Sequence, residues 1–215
     1  MKYAVIDLEM CYVPNCDILR DYKFGMETIQ IGAVLVNEDY EIEDSFNSYV
    51  KPEVGHINSF IQHLTGISSY LVKEAKCFGE VMKDFMDWLP EDATCVSWSL
   101  TDRKQIIEEA AYKGVDVSSM ERTFENWIDA QAMFSKKMDS DRAYRLDEAL
   151  IASDIYQDGE SHDGYDDACN TAKLFIRLET EPDYDLNEMY RSAKEDDIEH
   201  LSFSLGSVFE GLKVG

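Results

Sequence analysis

Two acids near the amino terminus, Asp7 and Glu9, stand two positions apart at the end of a short β-prone run, KYAVIDL. Side chains at i and i+2 of a strand share a face, so both carboxylates are presented together, as hard divalent cations require of oxygen ligands. The pair by itself says little, because 44 of the 215 residues are acidic and D-x-E arises readily by chance. Two further segments give it company. VSWSLTDRKQI places Asp102 just past another β-prone run. HDGYDDACNTAKLF places His162 in a glycine-containing turn, with Asp167 five residues on at the opening of a helix. Three carboxylate-bearing segments that leave strand or helix ends, with a histidine beside the third, match what a two-metal hydrolase requires. A histidine side chain titrates near neutrality and so suits general-base work.

The elements that must position these groups can be read from periodicity. Residues 2–8 form a buried strand, and 10–27, with Pro14, Asn15 and Gly25, a long loop. IQIGAVLV at 29–36 and a stretch over about 41–50 supply the second and third strands, joined by a tight turn at NEDY, 37–40. INSFIQHLTGI is a short helix with Ile57, Phe60, Ile61 and Leu64 on one face and Gly66 as its left-handed stop. Residues 77–89 repeat the helical pattern through Phe78, Val81, Met82, Phe85 and Leu89 before Pro90. ATCVSW at 93–98 is a strand that hands over directly to a helix at about 102–113. Residues 123–134 supply a final strand and a helical segment, and 144–152 an amphipathic helix. A long helix over about 163–179 turns Ala168, Ala172, Phe175 and Ile176 inward. Periodicity thus yields the α/β class. After Glu179 the composition shifts to an acidic stretch, 180–200, and an apolar one, 201–214. A domain over 1–180 is expected, followed by a tail, 181–215, that docks or makes an oligomer contact, giving a homodimer.

Bulk composition bounds the function classes. A 45% hydrophobic chain of this length can bury one substantial core, which excludes global disorder. The formal charge of −24 repels a phosphate backbone and argues against tight or processive hold on long nucleic acid; two divalent ions would bring it only to about −20. Five cysteines without a CxxC pair read as reduced thiols, and no second pair matches Cys11 and Cys16 as half of a zinc site. The amino terminus lacks a signal-peptide pattern and no run of eighteen apolar residues occurs, so a soluble cytoplasmic protein without membrane contact is expected.

The IDLE, W-x-x-x-D and H-x-x-x-x-D segments, in this order and with IQIGAV and HLTGI between them, resemble the DEDDh (DnaQ-like) 3′→5′ exonucleases over roughly residues 1–180. Trp98 four residues before Asp102, and His162, Gly164, Asp166 and Asp167 in an H-x-G-x-D-D pattern, are most similar to the Eri1 and KapD-like branch. The resemblance implies a ribonuclease H-like fold, a mixed β-sheet flanked by α-helices. It implies that Asp7, Glu9, Asp102 and Asp167 hold two divalent metal ions, Mg²⁺ or Mn²⁺, that His162 is the general base, and that Asp166 is a neighbour. Met10 stands where the family often has threonine, and Ser99 where it usually has glycine. Met10, Phe60, Ile61, Trp98 and Arg103 are candidate substrate contacts. Each has a plainer reading: core packing for Phe60, Ile61 and Trp98, solvated surface charge for Arg103. His63 is expected to be structural.

The reaction so implied is hydrolysis of the 3′-terminal phosphodiester of single-stranded RNA or DNA to nucleoside 5′-monophosphates. The Eri1-like motifs favour RNA, and the acidic surface favours short substrates. Two alternatives remain open at this stage: a non-catalytic interaction module on the same fold, and a phosphodiesterase acting on a small nucleotide.

Overall fold

Ala4, Val5 and Ile6 have no exposed surface, and this run, buried on both faces, makes Tyr3–Tyr12 the central strand, β1. β2 (Met26–Val36) pairs antiparallel with it, and β3 (Ile42–Tyr49) antiparallel with β2. β4 (Thr94–Ser97) runs parallel to β1 on its other side, and β5 (Ile128–Asp129) parallel to β4, giving the sheet order β3-β2-β1-β4-β5. The computed structural model describes residues 1–14 and 25–187.

Period-two alternation divides β1 between two cores. Ala4, Ile6 and Leu8 face α2 (Phe78–Trp88) and α3 (Thr101–Lys113), packing with Phe78, Val81, Met82, Phe85 and Ile106. Val5 faces the other way, toward Ala172 and Phe175 of α7 (Gly164–Thr180). The architecture is therefore a mixed sheet between helices, as expected from the sequence.

Several boundaries differ from the sequence reading. β1 continues four residues past the expected end, so Glu9 lies inside the strand, and the register shifts between Glu9 and Met10. The extension has a physical cause: Cys11, fully buried, packs with Ile29, Ile61, Ile67 and Val72 and holds the strand down. The expected loop over 10–27 is shortened at both ends, and its middle lies outside the described residues. The α1 helix (Ser59–Thr65) buries Ile61 and Thr65, while Phe60 and Leu64 are exposed; the expected four-residue apolar face turns inward only in part. The stretch 123–134 begins with a helical turn, α4 (Glu121–Glu125), and the strand within it shrinks to β5. There Trp127 stacks on Phe124 and donates to Ser97 Oγ at 2.8 Å, which fixes the chain before it enters α5 (Ala130–Lys137).

α6 (Leu146–Ala152) and α7 close the chain's second core with Phe134 and Tyr144. Tyr184 and Leu186 join that core, and the Tyr184 hydroxyl pairs with Ser153 Oγ at 2.6 Å, so the first residues after α7 pack on the domain. The rest of the expected tail, with its apolar 201–214 segment and homodimer contact, lies outside the described residues. Among the described residues no helix is long and apolar enough to cross a membrane.

Candidate active site

Alternation sends Asp7 and Glu9 to the β1 face that Val5 shares with α7. The helix can approach them because β2 carries glycine where it must. Gly32 pairs with Asp7, and a Cβ there would stand 2.2 Å from the Gly164 carbonyl carbon. A Cβ on Gly164 would in turn meet the Asp7 carbonyl oxygen at 3.2 Å. Gln30, opposite Glu9, then fixes the start of α7: its Oε1 accepts from Gly164 N at 3.1 Å, and its Nε2 donates to Asp163 Oδ2 at 3.2 Å and Asn47 Oδ1 at 3.1 Å. Asp163 is the N-cap, its Oδ1 accepting from the backbone of Tyr165 (3.0 Å) and Asp166 (3.1 Å).

His162 precedes that cap in the left-handed region, φ 64°, a conformation histidine adopts more readily than most side chains. Its backbone N–H donates to Asp167 Oδ2 at 3.0 Å. Glu9, His162 and Asp167 each offer a ligand atom, and these atoms lie within 4.8 Å of one another. Asp102, in the first turn of α3, comes from the opposite side and accepts the Leu8 N–H at 3.1 Å. Asp166 is turned to other work, accepting from Glu160 N at 2.8 Å and shaping the preceding loop.

The acids perturb one another strongly. Burial, and then the charges of Asp102, Glu9, Asp167 and Asp163, hold the Asp7 carboxyl well above the usual range. Burial, followed by Asp167, Asp102 and Asp163, pushes Glu9 up to about 9. Burial raises Asp102 to about 7 against the opposing Leu8 N–H. Burial also raises Asp167, against the His162 backbone N–H and charge. Among the described residues no lysine or arginine forms an ion pair with any of the four. A buried anionic cluster without a cationic partner is costly, and oxygen donors with one imidazole suit a divalent cation as that partner. The residues present fit a metal.

The cluster opens into a cleft of about 750 Å³. Asp7, Glu9, Asp102, His162 and Asp167 all line it, as do four of the five candidate substrate contacts: Met10, Phe60, Ile61 and Trp98. Arg103 is not among the lining residues; it is half-buried at the start of α3, and its Nε has no hydrogen-bond partner. Trp98 has a structural duty as well, its indole N–H donating to the Tyr144 carbonyl at 3.1 Å. His63 stands exposed in the last turn of α1.

Sequence reasoning missed Gln30, Gly32 and Asp163, which set the geometry from behind the acids. It also missed Gln131, Tyr144, Arg145 and Leu146, which form the far wall of the cleft. The small residue inside an otherwise bulky strand, Gly32 in IQIGAV, was the available signal for a close backbone approach.

Comparison with known proteins agrees with this fold. The exonuclease (RNase T) family model matches residues 4–175. Human 3′-5′ exoribonuclease 1 is 29% identical over 183 residues, covering 81% of this chain and 51% of that protein. The 3′-5′ exonuclease DinG of Staphylococcus aureus is 26% identical over 211 residues, covering 96% of this chain and 21% of that one. The chain thus spans about half, or less, of the length of these relatives. Among solved structures, the nuclease domain of 3′hExo, a DEDDh family member bound to rAMP, shares the fold with a TM-score of 0.69 at 24% identity, covering 87% of this chain and 96% of that one. A model matched from β1 to α7, on a sheet that gathers the expected acids at one cleft, means that this chain belongs to the exonuclease family, in agreement with the Eri1-like branch.

Proposed function

We propose that this chain is a metal-dependent 3′→5′ exonuclease that removes nucleoside 5′-monophosphates from short single-stranded RNA, and less readily DNA. The observation that carries the reading is the meeting of Glu9, His162 and Asp167 within 4.8 Å, beside Asp7 and Asp102, on the wall of one cleft. The relatives named above are described as 3′-5′ exonucleases, one of them an exoribonuclease.

Asp7, Glu9, Asp102 and Asp167 would hold two divalent ions, Mg²⁺ or Mn²⁺. When bound, the ions lower the pKa of water and stabilise charge on the phosphoryl group and its leaving oxygen. His162 takes the proton of the attacking water on a ring nitrogen. The water oxygen bonds to phosphorus, the bond from phosphorus to the 3′-oxygen of the penultimate nucleotide breaks, and that oxygen ends protonated as a hydroxyl. Met10, Phe60 and Leu64 offer the terminal base an apolar wall. A cytoplasmic place of action completes this reading, from the reduced-thiol pattern of the cysteines.

The test is degradation of 5′-labelled single-stranded RNA and DNA oligomers by the wild type and by Asp7→Ala, with Mg²⁺ or Mn²⁺. The expected result is a ladder shortening from the 3′ end, abolished by EDTA and reduced at least about a thousandfold by the substitution. Failure to cleave either polymer while metal is bound would sink the proposal.

A further inference from the structure

The cleft runs across the sheet, with the β1 acids in its middle. On the β2 side it is walled by α1 through Phe60, Ile61 and Leu64. On the β4 and β5 side stand Trp98, Gln131, Tyr144, Arg145 and Leu146. Among the described residues that line it, Arg145 is the one lysine or arginine. In a chain of net charge −24 that is conspicuous, since a polyanion must enter past five carboxylates, Asp7, Glu9, Asp102, Asp147 and Asp167.

The position of Arg145 is built rather than incidental. The Tyr144 carbonyl before it accepts two side-chain hydrogen bonds, from Trp98 Nε1 at 3.1 Å and Gln131 Nε2 at 2.7 Å. The Gln131 backbone N–H is itself tied to the Trp98 carbonyl at 2.7 Å. The Arg145 N–H donates to Glu148 Oε2 at 3.0 Å, and the Arg142 guanidinium lies 4.8 Å from the Tyr144 ring centre. The residue is latched from both sides, while its guanidinium projects into solvent, with Asp147 Oδ1 at 3.1 Å. An ion pair so exposed contributes little and yields readily to a better anion.

We infer that Arg145 is a substrate-positioning residue that binds the phosphate one nucleotide to the 5′ side of the scissile bond. The inference rests on the exonuclease reading above. With the scissile phosphate at the acids and the terminal base against the apolar α1 wall, the strand continues toward β4 and β5. The next phosphate then meets the guanidinium, whose fork of N–H donors matches phosphate oxygens. Arg145 thereby gives the enzyme a minimum preferred length: a substrate with one phosphate gains nothing from it, and a substrate with two does.

The experiment compares first-cleavage kinetics on a dinucleoside monophosphate, NpN, and a trinucleoside diphosphate, NpNpN, for the wild type, Arg145→Ala, Arg145→Lys and Asp147→Asn. Arg145→Ala is expected to lose roughly tenfold in kcat/KM on the trimer, through KM, and nothing on the dimer. Arg145→Lys should restore part of the loss, and Asp147→Asn should improve the trimer. The gap between wild type and Arg145→Ala should narrow as salt rises. Equal slowing on both substrates, or slowing on neither, would overturn the contact. A wild type that shortens longer oligomers but cleaves neither of these would overturn this contact alone, and one inactive on longer oligomers as well would overturn the exonuclease reading and this contact with it.

Discussion

His162 lies near enough to Glu9 and Asp167 for its ring either to ligate a cation or to receive a proton, and the two roles make different demands. A ligand role would require that removal of the imidazole weaken metal binding. A base role requires that removal slow the chemical step and leave affinity for the ion nearly intact. On the base role proposed above, the His162 N–H still serves Asp167 when the ring is removed, so that carboxylate stays aimed. His162→Ala is therefore expected to lower kcat by about 10² to 10⁴ while Mn²⁺ binding by calorimetry keeps its stoichiometry. Loss of a bound ion would assign the ring to the metal instead. At this scale the acids and the histidine were readable because their chemistry is written in residue type and short spacing. Gln30 and Asp163 were not, since their contact joins residues 133 positions apart and, inside the IQIGAV and HDGYDD segments, nothing in their type or spacing marks them as partners.

The elements matter because the site lies between them. Asp167 and His162 reach the β1 acids only as far as α7 can descend onto β2, and that descent is set by the backbone contact of Gly32 with Gly164. Gly32→Ala is expected to cost roughly 1–3 kcal/mol of stability, because backbone cannot rotate away as a side chain can. It should also cost about 10²-fold in kcat if α7 lifts by as little as ~1 Å. Urea midpoints and oligomer cleavage rates check the two effects, and an alanine variant with wild-type activity would show that α7 placement is not limiting. A second tie works from the far side of β2. Lys113 of α3 holds Glu27 at 2.5 Å and Glu109 at 2.8 Å, both fully buried, and Glu53 at 3.0 Å. Burial pushes the Glu27 carboxyl up, and Lys113 with the backbone N–H groups of Glu53 and Gly55 more than reverses it. This steadies the segment that leads into α1 and its cleft wall. Periodicity showed the helices and central strands well, since their buried faces are long. It misjudged β1 beyond Leu8 and the 123–134 stretch, where single tertiary contacts at Cys11 and Trp127 decide the structure.

For the whole molecule the acid cluster is a burden on folding that bound cations would remove, and the dependence on pH follows from its sign. In the unfolded chain Glu9 and Asp102 titrate near the ordinary 4.5 and 3.8; in the folded chain they rise to about 9 and about 7. Asp7 and Asp167 move in the same direction. The folded state therefore holds protons that the unfolded state has released, and stability is lost as pH rises from about 4 through the folded values. Net charge acts with the same sign, since a chain already at −24 repels itself more as further acids ionise. A divalent cation competes with those protons, so its stabilising effect must grow with pH. The metal-free protein is accordingly expected to melt several degrees lower at pH 8.5 than at pH 6, and saturating Mg²⁺ should recover most of that difference. Glu9→Gln, neutral throughout, should flatten the metal-free profile and blunt the Mg²⁺ response. Generic repulsion would behave otherwise: melting curves with and without Mg²⁺ would then run parallel across the pH range, and Glu9→Gln would shift both alike. That outcome would remove the carboxylate cluster as the origin of the pH dependence and weaken the case that these four acids share their cations.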